Sequence, residues 1–70
     1  MEEKIYEAYY EACRKYYFNR RFERRAEETE YFRGQKNILA NLLGGNNDRL
    51  IELRDKAMTQ AEDDYAYFSN

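Results

Sequence analysis

The residues with chemical reach are few. Cys13 is the single thiol in 70 residues, and the chain has no histidine. A cysteine nucleophile needs a base to take its proton, and the usual base is imidazole. Arg14 and Lys15 follow Cys13 and could depress its pKa, but consecutive helix residues do not share a face. Cys13 falls instead on an apolar stripe, where a thiol acts as a small hydrophobe. The carboxylates fare no better. A bundle di-iron site needs Glu-x-x-His pairs. The stretch "NNDRLIELRDK" lacks the acidic spacing and central glycine of a calcium loop. "GGNND" is not followed by the Gly-Lys-Ser/Thr of a phosphate-cradling loop. "EDDY" at 62–65 reads as a solvated acidic face near a helix end. The expectation is a protein that is not an enzyme and has no catalytic residue, cofactor, metal or small-molecule substrate.

What remains chemically distinctive is residues 9–25, "YYEACRKYYFNRRFERR", with six aromatic and six basic side chains. Tyrosine and arginine dominate protein–protein hot spots, because each joins a large contact area to a polar handle. The chain has eight tyrosines, more than so small a core can bury with every hydroxyl satisfied. The candidate partner-binding residues are therefore Tyr6, Tyr9, Tyr10, Tyr16 and Tyr17, with Arg14, Arg20, Arg21, Arg24 and Arg25. Tyr10 and Tyr17, with Arg21 or Arg24 beside them, are expected to be the anchors. Two other uses of the arginines compete. They can be self-paired along the helix, Arg24 with Glu27 and Glu28, Arg20 with Glu23, and Lys15 with Glu11. Or the stripe from Arg20 to Arg25 can meet phosphates while Tyr17 or Phe18 stacks on bases.

These residues need elements to hold them. Proline is absent and glycine is confined to Gly34, Gly44 and Gly45, so residues 2–33 contain no strong helix breaker. Gly44 suits a left-handed helix end, and Asn47 or Asp48 suits an N-cap. Beyond it, Leu50, Arg54, Ala57, Ala61, Tyr65 and Phe68 recur at helical spacing with Ile51 and Met58 alongside. The predicted fold is an all-α helical hairpin. Its long first helix covers about 2–43, with room for a kink near 18–20 or 34, and a shorter second helix covers about 48–68. At 1.5 Å per residue the arms are about 60 and 30 Å long. The second can then cover only Phe22, Ala26, Phe32, Leu39 and Leu43, with Ile38 and Leu42 adjoining. The tyrosine-rich half stays uncovered. A second reading notes that the Ile5–Tyr9–Ala12–Tyr16 stripe points about half a turn away from the Phe18–Phe22–Ala26 face. It breaks the chain near Asn19 into a three-helix bundle, about 3–17, 20–43 and 48–68, which covers those tyrosines.

Seventy residues make one small domain, 1–70, near the lower limit for folding alone. A lone cysteine forbids an internal disulfide and fits a reducing compartment. The acidic N-terminus has no apolar signal region, and no apolar run approaches the roughly 20 residues that span a bilayer. A cytoplasmic location follows as the expectation. So does the function: a protein-binding module, an inhibitor or adaptor of the kind a phage or mobile element encodes, for instance against a host defence nuclease. The favoured partner is another protein, with a homodimer through the N-terminal stripe as one form. A nucleic-acid-binding regulator and a structural homo-oligomer are the rival functions.

Overall fold

The computed structural model describes residues 2–23, 25–45 and 47–69. Among them the chain forms three α-helices and no strand: α1 over Glu2–Phe18, α2 over Ala26–Leu42 and α3 over Asp48–Ser69. The all-α class expected from the sequence is the class observed. Glu2 and Glu3 in the first turn of α1 and Lys15 in its last complement the helix dipole.

The run expected over about 2–43 does not continue straight. A π-helical turn occupies Asn19–Glu23, and Arg25 is extended at φ −87°, ψ 103°. A straight helix over that run would be about 60 Å long, whereas the longest dimension of the molecule is 37 Å. Asn19 supplies a local reason. Its buried side-chain amide donates to the Lys15 carbonyl at 2.9 Å, one turn back, and so competes with the backbone ladder. Gly34 lies inside α2, which runs on to Leu42.

The second reversal follows the expected glycine logic. Gly44 and Gly45 both take positive φ, 92° and 83°, where a Cβ is disfavoured. The Gly45 amide donates to the Ala40 carbonyl at 2.8 Å and the Gly44 amide to Asn41 at 3.1 Å, the paired bonds of a Schellman end. Asn47 then joins the two helices. Its side-chain oxygen accepts from the Leu50 amide at 2.9 Å, and its side-chain nitrogen donates to the Leu43 carbonyl at 3.3 Å. One side chain thus caps α3 and satisfies an orphan carbonyl of α2.

Both later helices pack on α1 and scarcely touch each other. Against α2, Lys15 meets Phe32 and Tyr16 meets Lys36, while Ala8 and Leu39 line one cleft, so α2 runs antiparallel to α1. Against α3, Arg49 bonds Glu3 and Arg14 bonds Asp64, so α3 runs parallel to it. The buried residues are Tyr9, Ala12, Cys13 and Tyr16 of α1 and Leu50, Ala57 and Ala61 of α3. Cys13 and Ala57 are fully enclosed, and their small side chains let α1 and α3 approach closely. Leu39, Ala40 and Leu43 pack against this core, but α2 contributes no buried residue of its own.

This corrects the expectation that the tyrosine-rich half lies uncovered. Tyr9 and Tyr16 are interior, and Tyr6, Tyr10 and Tyr17 are half-buried against the core. The cause is the departure from α1 through the π-helical turn Asn19–Glu23 and the extended Arg25, which lays α2 alongside α1. Removing the Tyr9 ring by Tyr9→Ala is expected to cost about 3–5 kcal/mol in urea unfolding, as for other large core aromatics. Exposed Tyr31→Ala should stay within about 0.5 kcal/mol. Equal effects at the two positions would show that Tyr9 is not core.

Candidate protein-binding surface

The ten residues singled out in the sequence divide into several environments. Tyr9 and Tyr16 belong to the core, and burial pushes the Tyr9 hydroxyl pKa well up. Burial also raises Tyr17. Tyr6 lies beneath the Arg49 guanidinium, 3.9 Å from its ring centroid, and Arg49 bonds Glu3 at 2.7 Å. Tyr10 packs beside the same core at the α1–α3 seam. Arg24 lies outside the described residues. The five tyrosines and the arginines are therefore not gathered into one outward patch.

Among the described arginines of this set, Arg14 and Arg21 reach across the fold, while Arg20 and Arg25 bond within a turn of themselves. Arg14 Nε donates to Asp64 Oδ2 at 2.6 Å and its Nη1 to Glu11 Oε1 at 3.4 Å, while Gln60 donates to the other Asp64 oxygen at 2.9 Å. Arg21 pairs with Glu62. Beside it, Phe22 stacks on Tyr65 with centroids 4.1 Å apart and planes 12° from parallel. Arg25 reaches Glu28 at 3.2 Å, and Arg20 donates to the Tyr16 hydroxyl at 3.3 Å. The acidic "EDDY" segment, read from sequence as solvated, is the counterpart of Arg14 and Arg21.

Cys13 has no exposure, and burial raises its thiol pKa, so it is held as a neutral thiol in packing. Among the described residues no group of three or more Cys, Asp or Glu side chains is placed to hold a metal ion. No helix among them is long and apolar enough to cross a membrane.

Two clefts flank the outward ridge of α1. One cleft, about 270 Å³, runs between α1 and α2 and is lined by Ala8, Ala12, Tyr31, Phe32 and Leu39. The other, about 230 Å³, runs between α1 and α3 and is lined by Phe18, Asn19, Arg14, Asp64 and Phe68. Glu11 and Lys15 line both, so the clefts adjoin across one polar ridge. Tyr31 is 61% exposed, and Tyr67 and Phe68 are 77% and 75% exposed. Ile38 and Leu42, expected near the covered face, stand exposed on the Tyr31 side of α2. The seven-residue step from Tyr31 to Ile38 would have marked a shared face; that it faces outward depends on which way α2 folds back.

Comparison with protein-family models, curated proteins and solved structures finds no match to this chain.

The Arg14–Asp64 and Arg49–Glu3 bonds set a pH dependence. Each bond holds its carboxyl below the ordinary carboxylate range in the folded chain. The unfolded state therefore binds protons first as pH falls. The stabilisation is complete above the ordinary carboxylate range and is lost as pH drops through the folded values. Urea midpoints should fall between about pH 5 and pH 2, and Asp64→Asn should flatten that slope and cost about 1 kcal/mol at pH 7. An unchanged slope in Asp64→Asn would remove this pair from the acid response.

Proposed function

We propose that this protein is a non-enzymatic module that binds another protein, acting as an inhibitor or adaptor by occupying its partner's surface. The observation that carries this reading is the pair of aromatic-walled clefts flanking Glu11 and Lys15, with Tyr31 and Phe68 exposed at their edges. Large apolar side chains grouped on one side of a small protein are characteristic of interaction surfaces. Aromatic anchors with a charged ridge between them have the composition of a hot spot. This surface shares Arg14 with the residues singled out in the sequence, while Tyr9 and Tyr16 of that set are core.

Affinity capture from cells that produce the protein, with nuclease treatment, tests this. The wild-type chain should recover a protein partner whether or not nucleic acid is digested. Tyr31→Glu with Phe68→Glu should weaken recovery about thirtyfold or more, the effect of losing roughly 2 kcal/mol at a hot spot, while helicity is unchanged. Recovery that survives the double substitution, or that vanishes with nuclease, would overturn the proposal.

A further inference from the structure

We propose that the trough between α2 and α3, on the opposite side of α1 from the aromatic clefts, is a second binding site that takes an acidic, partly apolar segment of a partner protein. Because α2 and α3 pack on α1 but hardly on each other, a channel is left between them with α1 as its floor. Near the α2–α3 turn it widens to about 380 Å³, where Tyr9 forms the base and Asn41, Ile51 and Arg54 stand on the walls.

Farther along, cations converge on one nearly buried ring. Lys36 Nζ lies 5.0 Å from the Tyr16 centroid, and the Arg20 and Arg33 guanidiniums lie 5.8 and 5.9 Å from it. The face of the ring offsets part of their mutual repulsion. Counter-charge within the chain is thin. Arg33 meets Glu30 at 3.2 Å and Arg54 meets Asp55 at 3.8 Å, each a near neighbour on its own helix. Among the described residues, Arg20 and Lys36 bond neutral groups, the Tyr16 hydroxyl and the Asn37 side-chain oxygen. Arg54 lines the wide end of the trough, and Lys36 stands over Tyr16 farther along. A cationic channel thus crosses a chain whose net charge is −2.

The α3 wall selects among anions. Ile51 and Met58 are seven residues apart on one helix face, and both are exposed. Phosphates would gain nothing from them. A segment carrying Asp or Glu together with Leu or Ile would match both walls, in the way an amphipathic helix fills a groove.

Fluorescence anisotropy with a labelled 14-residue amphipathic peptide of Glu and Leu tests the site on the full chain. The peptide should bind, and binding should weaken as salt is raised. Affinity should fall about tenfold or more in Lys36→Glu with Arg54→Glu, and by less in Lys36→Gln with Arg54→Gln. Tyr31→Glu with Phe68→Glu should bind the peptide as the wild type does, which separates this site from the aromatic clefts. A peptide with Lys in place of Glu should not bind. Circular dichroism checks each variant, and if the charge reversal unfolds the chain the glutamine pair carries the comparison. Absence of peptide binding, or binding indifferent to both pairs, would overturn the proposal. So would tighter binding of a 14-nucleotide single strand, or self-association that the charge reversal abolishes, since the occupant would then be nucleic acid or a second copy.

Discussion

Everything in this fold passes through α1. Both later helices rest on it, and neither rests on the other. α1 must therefore present apolar surface in two directions along its whole length. Tyr9, Ala12, Cys13 and Tyr16 do so, with Tyr6, Tyr10 and Tyr17 extending the contact toward α3. A tyrosine can serve such a position because its ring packs while its hydroxyl reaches the edge. Tyr16 does both, with its ring enclosed and its oxygen accepting from Arg20. A seam of Val or Leu would fill the same space, but the ring gives the surrounding cations a partner.

α3 buries Leu50, Ala57 and Ala61 against α1, whereas the inward stripe of α2, Phe32, Leu39 and Ala40 with Leu43 just beyond its end, remains partly accessible. Tyr31, Ile38 and Leu42 on its other side stand exposed. The cross-fold ion pairs act differently. Exposed pairs contribute about 0–1 kcal/mol each. The exposed Arg21–Glu62 pair and the part-buried Arg14–Asp64 pair fix the register of α3 against α1 and the turn that follows it. Small residues at the seam, Cys13 and Ala57 of one core cluster, need that guidance, because they offer little shape to fix a sliding position.

Several features were legible in the sequence because their cause is local. Gly44 and Asn47 mark their own positions through backbone sterics and a side-chain cap, and the α3 boundary followed from them within a residue or two. The apolar stripe Ile5–Tyr9–Ala12–Tyr16 was legible as a stripe. Its burial was not, because that depends on whether the chain turns at Asn19. Neither glycine nor proline marks the turn; an amide side chain bonding one carbonyl a turn back does. The arginine partners were hidden for a related reason. Spacing rules see partners three or four residues away, and Arg14 finds Asp64 fifty residues on. The convergence of Arg33, Lys36 and Arg54 with Arg20 has no signature in the order of the chain, since three separate segments supply it.

The opening excess of tyrosine and arginine thus has a structural use first. The aromatic rings build a core in a chain too short for a large aliphatic one, and the arginines align a helix that joins it from far along the sequence. Whatever binds this protein must then use what the packing leaves over. Packing leaves two kinds of surface, and they are chemically unlike. On the outer side of α1, aromatic side chains line two clefts that meet at Glu11 and Lys15, with Arg14 and Asp64 paired in one of them. On the inner side it is cationic over enclosed rings. Because both border the same helix, a ligand that repositioned α2 or α3 on α1 would alter both at once.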